Sequence, residues 1–113
     1  MLSVKGRIQN YGRSMYLLLS NRRKFDRQPM QAPICVNTKN KYGQIATVVC
    51  TCVDISARGL AVESNEPIVA NADAYIQCDT HGLKGFAFIR YCRQEAGRYR
   101  VGMEFRSEPE CWV

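Results

Sequence analysis

From residue 31 onward the chain alternates, and that alternation constrains it more than any other feature. Residues 98–105 read Arg-Tyr-Arg-Val-Gly-Met-Glu-Phe. Tyr99, Val101, Met103 and Phe105 share one phase; Arg98, Arg100, Gly102 and Glu104 share the other. A period of two places these sets on opposite faces of a half-buried strand. Ala74, Ile76 and Cys78 alternate in the same way with Tyr75, Gln77 and Asp79, and residues 59–63 turn Leu60 and Val62 inward with Glu63 outward. Ala46–Val53 and Phe86–Cys92 are apolar in both phases, the pattern of a strand covered on both sides or bent around a barrel corner. Ile34–Thr38 adds a sixth, short strand. Turn signals separate the runs: Asn40-Lys41-Tyr42-Gly43, Ser56-Ala57-Arg58-Gly59, Asn65-Glu66-Pro67, Thr80-His81-Gly82 and Glu95-Ala96-Gly97. Six short strands so spaced predict an all-β fold, a six-stranded antiparallel split β-barrel, in which closure removes the edges that would otherwise pair with other chains.

The remainder of the chain is a leading segment of different character. Residues 1–27 hold seven basic residues against Asp26 alone, whereas residues 28–113 hold nine of each sign. The whole formal charge of +6 therefore sits ahead of the first strand. A basic arm on a neutral body points to an anionic partner held by the arm, although a solvated basic terminus has the same composition. Tyr11, Met15, Leu18 and Leu19 could share a helix face, against which Gly12 counts by about 1 kcal/mol relative to alanine. The expected organisation is an N-terminal arm over 1–21, helical in part or flexible, a barrel domain over 22–107 and a short tail over 108–113. The apolar run Met15–Leu19 is far shorter than a membrane span and lacks the pattern of a secretory signal, so a cytoplasmic location is expected.

Six cysteines are present, with no Cys-x-x-Cys pair. Cys50 and Cys52, two apart in a strand, face the same side and read as small core side chains. A zinc site would have only His81 to help and no paired knuckles, so no metal is expected. No Gly-x-Ser-x-Gly, phosphate-loop or His-Glu-x-x-His pattern occurs, and His81, the only histidine, lies in a turn signal. The chain is not expected to be an enzyme and has no catalytic residues to assign.

Two motifs carry binding chemistry. The first is Arg22-Arg23-Lys24-Phe25-Asp26-Arg27. Arginine presents a planar fork of donors that fits guanine O6 and N7 and also phosphate oxygens. Arg23 and Arg27 are four apart and can grip one ligand from two directions; Pro29 and Pro33 would end any helix through this region early. The second is Asp54-Ile55-Ser56-Ala57-Arg58-Gly59. An ionised Asp54 at a strand end can accept from guanine N1–H and N2–H₂, and the Ser56 hydroxyl can donate to phosphate or accept from the base. Gly59 allows a tight turn, with a positive φ as one way of making it, and Arg58 is a secondary candidate. Either motif alone is common in solvated charge runs or polar hairpins.

Their order and frame are specific. An arginine motif before the first strand, an Asp/Ser/Gly motif between the second and third, and the closing run Tyr99-Arg100-Val101-Gly102-Met103-Glu104-Phe105 together resemble the PilZ domain family of bacterial cyclic di-GMP receptors, over about residues 20–107. The family's Arg-x-x-x-Arg falls on Arg23 and Arg27, and its Asp/Asn-x-Ser-x-x-Gly on Asp54, Ser56 and Gly59. The resemblance implies a barrel whose outer surface binds the nucleotide, with the arginine segment wrapping over it as a switch. It also implies that Arg22, just before the first motif arginine, goes with an intercalated pair of cyclic di-GMP molecules, and that no cofactor is needed. Many members carry a helix after the last strand; the seven residues following Arg106, Pro109 and Trp112 among them, are too few for one. The expected function is a non-catalytic cyclic di-GMP receptor that presents a switched surface to an as yet unidentified protein partner. Two other readings stay open: a barrel adaptor without nucleotide binding, and a small basic RNA-binding barrel, against which the neutral body counts.

Overall fold

Strands β1 (Gln28–Lys39), β2 (Ile45–Ile55) and β3 (Gly59–Ser64) follow one another in the structure, a computed structural model that describes residues 27–107 and 109–111. Then come β4 (Ala72–Cys78), a 3-10 turn at Asp79–His81, β5 (Leu83–Glu95), β6 (Arg98–Phe105) and a two-residue β7 (Glu110–Cys111). The pairings run β4-β1-β2-β3-β6-β5, all antiparallel, and β4–β5 closes the ring into the expected six-stranded barrel. The short β7 is added on β5 at Leu83 and Lys84. The expected helix face over Tyr11–Leu19, Arg22, Arg23 and Trp112 lie outside the described residues. No helix among the described residues is long and apolar enough to cross a membrane.

The predicted inward phase is the core. Leu60, Val62, Ile76, Ala87, Ile89 and Val101 are fully buried, each aliphatic side chain of valine size or larger contributing about 1.5–3 kcal/mol relative to exposure. Strand β1 starts earlier than the alternation indicates and takes in Pro29 and Pro33. Strand β4 reaches β1 only at Cys35–Thr38. Both prolines therefore sit where β1, among the described residues, pairs with β2 alone, and the missing N–H of proline costs no ladder bond on the open side.

The two segments apolar in both phases bend rather than lie between two layers. Val49 and Phe86 stay exposed on the outer wall. Strand β2 carries one extra residue between Cys52 and Asp54 relative to β3, and β5 carries one between Ile89 and Tyr91 relative to β6. Such bulges coil a strand around a barrel and re-aim the side chains beyond them. A third irregularity lies in β1 between Pro29 and Ala32.

Cys50 and Cys52 face the core as expected, both buried, and are free thiols. Burial pushes the Cys50 thiol from 9.0 up to about 11 and the Cys52 thiol up to about 12. A thiol whose folded pKa is raised loses its proton later when folded than when unfolded. Its contribution is thus complete below pH 9.0 and fades as the pH climbs from there toward 11–12. Alkylation of the native protein at about pH 8, read by mass spectrometry, is expected to spare Cys50 and Cys52 while the half-buried Cys35 and Cys92 react. Equal labelling of all four would contradict the burial.

Candidate functional site

Strand register brings the two motifs together. Gln28 pairs with Ile55 and Pro29 with Asp54, so Arg27 enters β1 beside the end of β2. Its Nη1 donates to Asp54 Oδ1 at 2.5 Å. The bulge at Val53 decides where Asp54 points. Strict alternation from Cys50 and Cys52 would send the Asp54 carboxylate into the core. The extra residue turns it to the outer wall, opposite Ala61 of β3, and sends Ile55 inward instead, 2% exposed.

A second arginine holds the other oxygen. Arg100 Nη2 donates to Asp54 Oδ2 at 3.0 Å. The Asp54 side chain is only 17% exposed, against 31% for Arg100 and 50% for Arg27. The carboxylate is thus recessed between two cations, a less screened position than a rim ion pair occupies. Arg100 is not among the residues the motifs single out. Its outward phase in β6 is legible in the sequence; its approach to Asp54 depends on the strand order β2-β3-β6, which is not.

The remaining motif residues build the turn after β2. Ser56 is buried, its N–H donates to the Gly59 carbonyl at 2.8 Å, and its hydroxyl accepts from the Arg58 N–H at 3.2 Å. The same hydroxyl donates to the Gly59 carbonyl at 3.4 Å. The structure therefore places this hydroxyl within the turn as the brace that shapes it. Gly59 needs correcting in one respect: among the described residues the positive-φ glycines are Gly43, Gly82 and Gly97, and Gly59 is not one of them. Its requirement is space, because a Cβ there would lie 2.1 Å from the Met103 carbonyl oxygen. The close approach it allows is of β3 to β6. Arg58 turns toward β6, where its Nη2 lies 3.7 Å from Glu104 Oε2, with Arg90 on the other carboxylate oxygen at 3.4 Å.

Beyond Ala61 the outer wall continues through Gly102 to Tyr91, the residues paired across β3, β6 and β5. The Tyr91 ring covers Gly102, and the Arg93 guanidinium stacks over that ring at 4.5 Å. The outer wall from Arg27 to Arg93 is consequently cationic and aromatic around one recessed carboxylate. It can offer forked donors to phosphates, an acceptor pair to a base edge and a flat ring face. Two cavities of about 340 and 420 Å³ flank the β1–β2 hairpin at the barrel's opposite end and contain none of the motif residues. Among the described residues, no three His, Cys, Asp or Glu side chains gather as a metal site would require.

The model of the PilZ domain family matches residues 21–111 of this chain. No curated protein matches it.

Proposed function

We propose, because the chain belongs to the PilZ domain family of cyclic di-GMP binding modules, that it is a non-catalytic receptor for cyclic di-GMP. The observation that carries this reading is the β1–β2 register, which sets the last residue of the arginine motif on the carboxylate of the Asp/Ser/Gly motif. Residues 27 apart in sequence thereby meet on the outer wall. In this reading Asp54 accepts from the guanine Watson–Crick edge, Arg27 donates its fork to guanine or phosphate, and the turn braced by Ser56 keeps the wall beside Asp54 low. Arg22 and Arg23 close over the nucleotide from the segment preceding Arg27, and Arg22 supports a pair of stacked ligands. The closed segment and the bound nucleotide together form the surface that a partner protein reads. Charge-assisted hydrogen bonds of the kind this surface offers contribute roughly 1.5–3 kcal/mol each, toward the roughly 8 kcal/mol that micromolar affinity requires.

Calorimetric titration of the full chain with cyclic di-GMP, cyclic di-AMP and GTP tests the proposal. Binding is expected with cyclic di-GMP alone, at close to two ligands per chain. Absence of heat with all three would favour the adaptor reading, in which the barrel acts through protein contacts only. One ligand per chain would leave the receptor reading intact and remove the role given to Arg22.

A further inference from the structure

We propose that Arg100 is the specificity-determining positioning residue of this surface: by holding one oxygen of Asp54, it sets the carboxylate in the orientation that reads the 2-amino group of guanine. The inference rests on the cyclic di-GMP reading above and adds to it a residue outside both motifs.

The geometry is unusual for a surface ion pair. Arg100 is on β6 and Asp54 on β2, with β3 between them. Arg100 is in register with Glu63, and Asp54 with Ala61. The guanidinium therefore reaches across β3 on the outer wall to bond Asp54 Oδ2 at 3.0 Å. Ala61 is the outward residue in register with Asp54, and its side chain ends at Cβ, which leaves the crossing open. Ala61 is only 2% exposed despite facing outward, as expected for a residue beneath a covering layer.

Acceptor bookkeeping shows what this contact leaves available. An ionised carboxylate has about four lone-pair sites, two on each oxygen. Arg27 occupies one on Oδ1 and Arg100 one on Oδ2. Each oxygen keeps one site. Guanine presents N1–H and N2–H₂ side by side, which requires two acceptors in one plane. Adenine cannot supply that pair of donors; hypoxanthine supplies N1–H and lacks the amino group. Fixing the plane of the carboxylate is thus what makes the amino group count.

Of the two arginines, Arg100 is suited to this task and Arg27 is not. Arg27 is half exposed and ends the motif that engages ligand, so its contact with Asp54 competes with its own role. Arg100 is less exposed and springs from within a strand paired at that residue on both sides, with Glu63 of β3 and Arg93 of β5. A site residue on such a scaffold keeps its geometry better than one on a loop.

The test is competitive calorimetry of the full chain with cyclic di-GMP and cyclic di-IMP, comparing wild type, Arg100→Ala and Arg100→Lys. Wild type is expected to prefer cyclic di-GMP by about tenfold or more, the value of a charge-assisted hydrogen bond. In Arg100→Ala that preference should shrink to about threefold or less, chiefly through weaker binding of cyclic di-GMP, because the lost contact acts on the amino group. Arg100→Lys keeps the charge without the fork and should fall between the two. Circular dichroism melts of the variants should stay close to wild type. Equal weakening of both ligands in Arg100→Ala, with the preference kept, would overturn the inference and leave the receptor reading standing. Failure of wild type to bind cyclic di-GMP would remove both.

Discussion

Gly59→Ala is expected to lower the melting temperature by about 10–20 °C, the shift that follows from a loss of roughly 2–4 kcal/mol in a domain of this size. The new methyl would lie 2.1 Å from the Met103 carbonyl oxygen and 3.0 Å from the Glu104 Cα. Both obstacles are backbone of β6, which is held by its own ladders to β3 and β5. Relief requires β3 to pull away at the rung where Gly59 faces Glu104, and forced separations of this kind are among the more costly changes a core tolerates. Against a total stability of about 5–15 kcal/mol the loss is large. The turn should also suffer, since the Gly59 carbonyl accepts from the Ser56 N–H and hydroxyl. Gly102→Ala is the internal comparison. Its methyl would meet the Tyr91 ring at 2.2–2.8 Å, but that ring is the far end of a side chain on the outer wall and can pivot off the strand. Thermal melts followed by circular dichroism should therefore rank Gly59→Ala well below Gly102→Ala. The reverse order would mean that β3 is freer to shift than its pairing indicates.

The contrast shows which parts of the fold were readable from the chain. Period two over Ala74–Cys78, Leu60–Val62 and Tyr99–Phe105 correctly separates inner from outer residues, because a closed barrel has one buried face and every strand must present it. The same rule fails at Asp54 and Tyr91. Both are in phase with buried neighbours, Cys50 and Cys52 in one case and Ala87 and Ile89 in the other, yet both point outward past a bulge. A charged residue falling in the buried phase of a strand is itself the signal that an extra residue must intervene, since an unpaired carboxylate in the core would be prohibitive. Alternation alone cannot say which of the adjacent residues supplies it.

The site was legible in parts for a related reason. Arg27 and Asp54 meet because consecutive antiparallel strands bring the beginning of one beside the end of the other, a local consequence of the β1–β2 hairpin. Arg100 is 46 residues from Asp54, and its contact exists only once β6 is placed beside β3. Ser56 and Gly59 were found as motif residues, but the fold gives them work the motif does not reveal: a hydroxyl turned inward to brace the turn, and a missing side chain that admits β6. At these two positions the motif also shapes the turn that follows Asp54.

Asp54→Ala should accordingly be the most damaging single change for binding, weakening cyclic di-GMP about a hundredfold or more. Two charge-assisted hydrogen bonds to a guanine edge, at roughly 1.5–3 kcal/mol each, set that scale. The loss has a second component. Arg27 and Arg100 converge on this carboxylate at 2.5 and 3.0 Å, and without it two like charges face each other across the place the carboxylate held. Stability should change little, because the partners are partly exposed and such ion pairs contribute modestly to folding. Asp54→Asn separates the two components. The amide retains one acceptor oxygen but replaces the other with a donor, which opposes both a guanidinium and a guanine N–H. It should bind more weakly than wild type and more tightly than Asp54→Ala. Calorimetry paired with thermal melts distinguishes this from general damage: affinity should fall steeply across the series while the melting temperature moves by only a few degrees. If Asp54→Ala bound cyclic di-GMP at full strength, the guanine edge would have to be read elsewhere on the wall, and the recessed carboxylate would be a structural tie between β1, β2 and β6 alone.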